Sequence, residues 1–288
     1  MEHFQYTADI GTHSLSYALR GTARQPGSPL VIILTEITSS ALEWSPVCRH
    51  IESEASILLY ERSGYGRSEE SPNEPDSLTI VNELSRLLAA ADLKPPYLIV
   101  GHSWGGILAR EFIAARPSED ICGLVLVDPV QERMLFESWP DPSIAAVTEG
   151  LDYMEVVGLT RDHRLTEQSG SSRIFRSAGV YWQKKQQLLP GRDLLKGKPV
   201  SVLQGNSKRD HELLYQVGVA QGGGNEAQRA KFREYLATWE ESEEAFQREL
   251  LNLSSTARFS TTTRSGHNIQ LTEPELVAEE IQWVLQRT

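Results

Sequence analysis

Continuous hydrophobic runs, separated by segments with a helical spacing of apolar residues, dominate the pattern of this chain. Such runs are typical of strands that are covered on both faces of a sheet. They occur at residues 30–34, 56–60, 96–100, 123–127 and 199–204. Residues 76–91 and 105–116 instead carry apolar side chains at every third or fourth position, and this spacing predicts an amphipathic helix for each. Strands and helices therefore alternate along much of the chain.

The two ends of the chain carry different patterns. Residues 4–10 and 14–19 alternate between polar and apolar side chains, which predicts an antiparallel edge hairpin across Gly11-Thr12. Residues 225–253 form a mostly polar stretch with apolar residues at helical spacing, and we expect one long helix or a helix pair there. Both segments are compatible with a single α/β domain.

The pattern changes in residues 130–195. Short helical pieces are interrupted there by proline and glycine, and the segment is rich in large side chains. These are Trp139, Tyr153, Met154, Phe175, Tyr181 and Trp182. We interpret residues 130–195 as a cap inserted into a core domain that consists of residues 1–129 and 196–288.

Composition and charge restrict the possible partners. The chain has 288 residues, 40% of them hydrophobic, and a formal net charge of −11. Nucleic acids and anionic membranes attract positive charge, so we expect neither as a partner. No run reaches the ~18 apolar residues of a membrane span, and no signal peptide is visible at the start. Cys48 and Cys122 are far apart, which favours a reducing compartment, the cytoplasm.

The candidate nucleophile is Ser103 in the run Gly101-His102-Ser103-Trp104-Gly105. The run connects the predicted strand at 96–100 to the predicted helix at 105–116, which is the strand–turn–helix context of a nucleophile elbow, G-x-S-x-G. The flanking glycines allow a strained serine backbone, so that the hydroxyl projects from the sheet. An ordinary serine in a turn is the alternative interpretation.

The candidate base is His267, in a loop between a predicted strand at 257–262 and a predicted C-terminal helix. Its position downstream of Ser103 fits the order serine, acid, histidine that such an elbow requires. His3, His13 and His50 precede the serine, and the side chain of His102 must point away from it. The remaining two histidines have polar surroundings that are typical of the surface: His163 and His211.

Together these motifs make the chain similar to the α/β-hydrolase superfamily along nearly its whole length. The matching segments are residues 34–44, 60–68, 101–105, 124–129 and 265–267. The resemblance implies an α/β-hydrolase fold: a mostly parallel eight-stranded sheet, helices on both faces, and a helical cap above Ser103. It also implies a catalytic triad of serine, histidine and an acid.

Two residues compete for the role of the acid. Asp128 ends the strand at 123–127, at the carboxyl edge where functional groups of parallel sheets collect; the alternative is a turn-starting Asp before Pro129. Asp210 follows the next strand, the commoner place in this superfamily, but lies in a polar run that predicts a solvated loop. We favour Asp128 and leave Asp210 open.

The loop after residue 34 departs from the superfamily pattern. Many relatives have a glycine there, whose flexible backbone supplies one donor of the oxyanion hole. This chain has Thr35-Glu36-Ile37 instead. We expect the amides of Trp104 and Thr35 to form the oxyanion hole. The carboxylate of Glu36 would destabilise a developing oxyanion unless it faces elsewhere or is protonated. Alternatively, Glu36 acts as a further acid or base.

Three classes of function remain open at the sequence level. The first is a serine hydrolase that cleaves an ester, lactone or related acyl bond of an uncharged, mainly apolar small molecule. The second is a non-hydrolytic, C–C bond-cleaving or ring-forming enzyme that uses the same triad. The third is a receptor-like module that binds a ligand. We expect no cofactor and no metal: Gly222-Gly223-Gly224 is not preceded by the strand of a phosphate-binding loop.

Overall fold

Eight strands form one sheet in the computed structural model, which describes residues 4–37, 39–137, 141–159 and 187–288 of the chain. The strands are β1 Tyr6–Asp9, β2 Ser14–Gly21, β3 Leu30–Leu34, β4 Ser56–Tyr60, β5 Tyr97–His102, β6 Ile121–Val127, β7 Val200–Gln204 and β8 Ala257–Thr261. Their spatial order is β1-β2-β4-β3-β5-β6-β7-β8. Only β2 runs antiparallel to its neighbours β1 and β4, and all other pairs are parallel. The predicted mostly parallel sheet and the edge hairpin are confirmed.

Nine α-helices occur within the described ranges. They are α1 Ser45–Ile51, α2 Ser77–Ala90, α3 Gly105–Ala114, α4 Glu132–Glu137, α5 Tyr153–Val156, α6 Ser207–Ala220, α7 Glu226–Glu249, α8 Ile269–Thr272 and α9 Pro274–Leu285. Short 3-10 helices at Ala41–Trp44, Ser118–Asp120, Pro142–Val147 and Leu250–Leu253 add to them. No described helix has both the length and the apolar character that crossing a membrane would require.

The sheet is buried because helices cover both of its faces. Every residue of β3, β4 and β5 is buried, which is the reason for their continuous apolar sequences. Ile32 and its neighbours on one face pack with the apolar sides of α2 and α3. Val31 and Ile33, on the opposite face, pack with α1 and α9. The sheet thereby fixes the loops at the carboxyl ends of β3, β5 and β6 side by side.

The helices between β7 and β8 contact the described part of the predicted cap. Ile144 and Val147 pack against Phe232 and Leu236 of α7, and a Cβ on Gly218 of α6 would lie 2.0 Å from the carbonyl oxygen of Val147. Residues 141–159 are therefore held against α6 and α7. The limits of the cap, residues 130–195, stay a prediction; Trp139, Phe175, Tyr181 and Trp182 lie outside the described residues.

The segment after β7 differs from the sequence-based expectation. The polar run around Asp210 is not a solvated loop but the first turn of α6, where Asp210 is buried. Asn206 caps this helix by accepting a hydrogen bond from the amide of Arg209 at 3.3 Å, an N-cap that the sequence analysis overlooked. His211 is half-buried and not fully exposed, since its ring packs against Tyr235 and Trp239. Burial lowers the pKa of His211 to about 4.

The first turn of α3 lies directly against the end of β3, and only glycine fits at the point of contact. A Cβ on Gly105 would lie 2.0 Å from the carbonyl oxygen of Leu34, a backbone atom that cannot move alone. We expect Gly105→Ala to lower the free energy of unfolding by about 3 kcal/mol, because such overpacking forces the backbone to shift. Chemical denaturation monitored by tryptophan fluorescence measures this.

Gly150→Ala is the matched control for that substitution. Gly150 has a φ of +80°, but no atom lies within 4 Å of its ideal Cβ position, so only backbone strain of about 1 kcal/mol is expected. Equal losses in the two variants would contradict the close packing of α3 on β3.

Candidate active site

Ser103 stands in the turn between β5 and α3 with a φ of +54°, a region that non-glycine residues rarely adopt. Three backbone hydrogen bonds hold this turn: the amide of Ser103 donates to the oxygen of Val127 at 3.1 Å, and the amides of Gly106 and Val130 donate to the oxygen of Ser103 at 2.9 and 3.0 Å. Glycine is required two positions before the serine, because a Cβ on Gly101 would lie 2.6 Å from the oxygen of Gly105. The packing of the turn thus requires Gly101, and the contact of α3 with β3 requires Gly105.

His267 follows β8 and reaches the same edge of the sheet. Its Nδ1 lies 2.6 Å from Oδ2 of Asp128. Its backbone is held from two sides, since its amide donates to Oδ2 of Asp210 at 2.9 Å and its carbonyl oxygen accepts from Nε2 of His102 at 3.0 Å. The ring is therefore oriented by a carboxylate, and the loop that carries it is anchored independently.

Asp128, at the end of β6, is buried and satisfied on both carboxylate oxygens. Oδ2 pairs with His267, while Oδ1 accepts from the amide of Gly205 at 2.8 Å and from Nε2 of Gln247 at 3.1 Å. Burial alone would raise the pKa of this carboxyl, but the hydrogen bond and the charge of His267, with the Gly205 amide, hold it below its ordinary value. Asp128 is thereby kept as a carboxylate.

Asp210 lies nearby but holds the backbone of the loop rather than the imidazole ring. Its Oδ2 accepts from the amide of His267 at 2.9 Å and from the hydroxyl of Tyr153 at 2.6 Å. A Cβ on Gly266 would lie 2.0 Å from this oxygen, so Gly266 permits the close approach. Of the two candidate acids, Asp128 is the one that the structure brings to a ring nitrogen of His267.

The candidate oxyanion residues lie on two adjacent elements. Trp104 is buried and precedes α3 as its N-cap residue, where backbone amides carry the partial positive charge of a helix terminus. Thr35 directly follows β3, and the contact between Leu34 and Gly105 brings these two elements together. The Thr35 hydroxyl donates to the carbonyl oxygen of Ser39 at 3.2 Å, and this hydrogen bond joins the two ends of the loop.

Arg62 fixes this glycine-free loop, a role that the sequence analysis did not identify. Its guanidinium group donates to the carbonyl oxygens of Thr35, Glu36 and Ile37 at 2.8, 2.5 and 2.7 Å. It also stacks 4.7 Å over the ring of Tyr65, whose hydroxyl donates to Ile37 as well. Arginine carries enough donors in a rigid fork to bind three carbonyls at once. The only sequence signal was its place in the matching segment at residues 60–68.

Glu36 points into the site. Its Oε2 lies 3.5 Å from Nε2 of His267, and the two side chains are 11% and 23% exposed. Burial would lower the pKa of His267, but the hydrogen bonds and charges of Asp128 and Glu36 outweigh it and raise this pKa well above its ordinary value. The imidazole therefore stands between two carboxylates, one at each ring nitrogen.

Helix α7 supplies a further buried layer behind Asp128. Glu243 accepts from the hydroxyl of Ser207 at 2.6 Å, and Nε1 of Trp239 donates to the same hydroxyl at 2.8 Å. Burial, with the charge of Asp128, raises the pKa of Glu243 to about 8. Gln247, one turn further along α7, is the residue that reaches Asp128. Sequence reasoning treated this helix as core packing and overlooked both polar contacts.

One cluster among the described residues could bring three ligand atoms toward a cation: Glu36, His102 and His267 place such atoms within 4.8 Å of one another. However, Nε2 of His102 donates to the carbonyl oxygen of His267 and so carries a proton. Burial and the charge of His267 lower the pKa of His102 to about 4, which leaves this ring neutral. Nδ1 of His267 is paired with Asp128, so one nitrogen of each histidine already takes part in a hydrogen bond.

Comparisons with known proteins agree with this architecture. The model of the alpha/beta hydrolase family matches residues 27–280. The chain is 30% identical to the probable transporter efuK of Hormonema carpetanum over 97% of its own length but only 42% of that protein's length. It is 27% identical to an AB hydrolase superfamily protein of Gibberella zeae, covering 94% of this chain and 91% of that protein.

Solved structures show the same fold at low sequence identity. A thermophilic esterase from Thermogutta terrifontis has a TM-score of 0.60 at 17% identity, with 96% of this chain and 95% of that chain covered. The enol-lactonase from Burkholderia xenovorans has a TM-score of 0.63 at 14% identity, with 98% and 100% covered. By its family match, its sheet order and its strand–turn–helix serine, the chain belongs to the alpha/beta hydrolase family.

Proposed function

We propose that the protein is a serine hydrolase that cleaves an ester, lactone or related acyl bond. The observation that carries the proposal is the 2.6 Å hydrogen bond between Asp128 and His267 at the edge of the sheet where Ser103 occupies its strained turn. A buried carboxylate that orients an imidazole, at the sheet edge that also carries a serine in a strand–turn–helix corner, is an arrangement that acyl-transfer enzymes use. Similarity of fold to an esterase and an enol-lactonase also supports it.

In the proposed reaction Ser103 Oγ attacks the substrate carbonyl while Nε2 of His267 accepts its proton. The imidazolium, stabilised by Asp128, then donates this proton to the leaving alcohol, and an acyl-enzyme remains. A water molecule, deprotonated by His267, hydrolyses the acyl-enzyme and restores the serine. The amides of Trp104 and Thr35 are proposed to stabilise the oxyanion, with the N-terminus of α3 contributing its dipole.

Ser103 and His267 should act as a unit. We expect Ser103→Ala and His267→Ala each to lower the turnover of an activated ester by about four orders of magnitude or more, because either change removes nucleophilic attack. The double variant should be little worse than either single one. Mass spectrometry after fluorophosphonate treatment should find the adduct on Ser103 of the wild type. A folded wild type that remains unlabelled would contradict the hydrolase proposal.

Asp128 and Asp210 provide a matched pair of variants. We expect Asp128→Asn to lower turnover about 10³-fold or more, since an amide cannot stabilise the imidazolium and favours the wrong tautomer. Asp210→Asn should cost less than about tenfold, because both of its hydrogen bonds go to one oxygen, which an asparagine retains. Steady-state kinetics on the same ester compare the two. The reverse order of losses would assign the acid to Asp210.

The charges and the side chains around the site support an uncharged, mainly apolar substrate as part of the proposal. Two carboxylates, Asp128 and Glu36, flank His267, and they would repel an acidic acyl group. Tyr153 and Met154 of the predicted cap lie near the histidine loop, since Tyr153 donates to Asp210 and Nδ2 of Asn268 approaches the sulfur of Met154 at 3.8 Å. Pockets for small molecules are mostly apolar with a few placed polar groups.

A series of nitrophenyl esters tests this substrate class. We expect kcat/KM to rise with acyl-chain length and to be at least about tenfold lower for a matched ester whose acyl chain ends in a carboxylate, because like charges repel in a partly buried site. Ser103→Ala, which should hydrolyse none of them, is the control. Preference for the acidic or the smallest ester would contradict an apolar, uncharged substrate.

Glu36 favours a second candidate function. A carboxylate 3.5 Å from the catalytic histidine is a further acid or base, which a non-hydrolytic, C–C bond-cleaving or ring-forming reaction can use for proton transfer to carbon. Such a reaction would still use the pair of Asp128 and His267. The two candidates differ in whether an acyl group remains on Ser103 during turnover.

A further inference from the structure

The backbone around Glu36 is held by several buried hydrogen bonds, and its carboxylate lies 3.5 Å from Nε2 of His267. Arg62 binds the carbonyl oxygens of residues 35, 36 and 37, and this guanidinium group is itself buried. On the other side, the end of β3 lies in direct contact with Gly105. The loop therefore cannot carry Glu36 away from His267 without breaking several buried hydrogen bonds, each of which is costly to lose.

Charged and titratable groups approach His267 from every element packed around it. Asp128 after β6 meets Nδ1, and Glu36 after β3 meets Nε2. Neutral His102 of β5 and buried Asp210 of α6 bind its backbone, and they touch neither ring nitrogen. Further groups act on it only through their charge or their contact with Asp210; these are Glu243 of α7, His211 of α6 and Tyr153 of α5.

Two carboxylates at the two ring nitrogens have a simple chemical consequence. A carboxylate only accepts hydrogen bonds, so each nitrogen can satisfy its partner only when it carries a proton. An imidazole protonated on both nitrogens is an imidazolium cation, which opposite charges on both sides stabilise. The same Nε2 must, however, be free of its proton before it can accept one from Ser103.

We infer that Glu36 is a positioning residue that keeps the proton on Nε2 of His267 in the substrate-free enzyme and so sets the lower pH limit of activity. The inference rests on the proposed function only in that His267 is the base. Below this limit His267 is an imidazolium paired with Glu36 and cannot activate Ser103. Above it, Nε2 loses its proton, and the triad becomes competent.

Removal of the negative charge of Glu36 should make His267 a weaker base. Glu36→Gln deletes the negative charge at Nε2 but keeps the size and an acceptor oxygen, so the imidazolium loses one of its two stabilising partners. His267 should then lose its proton at a lower pH, and the acidic limb of kcat/KM should move downward by about one pH unit or more. Glu36→Asp keeps the negative charge on a shorter side chain, so the acidic limb should move downward by less than in Glu36→Gln.

The titration of His267 can be measured apart from catalysis. We would label the histidine rings with ¹⁵N, assign His267 by comparison with His267→Ala, and follow its chemical shift against pH in the wild type and in Glu36→Gln. The matched control is Glu43→Gln. Glu43 follows the same loop but accepts from the hydroxyl of Ser39 at 2.6 Å. We expect the lowered titration midpoint in Glu36→Gln and an unchanged midpoint in Glu43→Gln.

The outcomes separate the role of Glu36 from the proposed function. An equal midpoint in Glu36→Gln and the wild type would overturn the role of Glu36. If that variant does not fold, the wild type alone is decisive: a His267 midpoint at or below the ordinary value of about 6.5 overturns it. A shifted midpoint in a protein that hydrolyses no ester would support the role of Glu36 and contradict the proposed function.

Discussion

The buried carboxylate of Asp128 is the point on which the arrangement of the site depends. It lies at the end of β6 and contacts groups from three other parts of the chain: the amide of Gly205 after β7, the side chain of Gln247 in α7, and the ring of His267 after β8. A buried charge is costly unless hydrogen bonds compensate it. Each of these partners therefore stabilises the fold by satisfying Asp128, and each is in turn fixed by it.

The same constraint links the helices after β7 to the chemistry. Helix α7 is mostly polar along its length, yet it places Gln247 and Glu243 behind Asp128. Because Glu243 has a pKa raised to about 8, it is mainly protonated at neutral pH and adds little negative charge next to Asp128. The pairing of Asp128 with His267 thus persists in a region that contains several other carboxyl groups.

Sequence alone predicted those features that depend on local pattern. Apolar runs predicted the buried strands, and the glycines around Ser103 predicted a strained turn. It favoured Asp128 but left Asp210 open, because both follow adjacent strands and the direction of a side chain cannot be derived from local spacing. It also overlooked Arg62 and Gln247. Their contacts span 26 and 119 residues of chain, and no local spacing indicates which groups they bind.

The glycine-free loop after β3 is ordered by hydrogen bonds from a charged side chain and not by the flexible backbone of a glycine. A glycine would allow the loop to adopt a special conformation, whereas here Arg62 binds three successive carbonyl oxygens. This arrangement leaves the side chain of Glu36 at the sheet edge that carries the candidate site, 3.5 Å from His267. Where many relatives have a glycine in this loop, the chain therefore has an ionisable residue, Glu36. Because the position of Glu36 depends on the loop, the conformation of the loop influences the protonation state of His267. The guanidinium group of Arg62 stabilises that conformation and so acts on both.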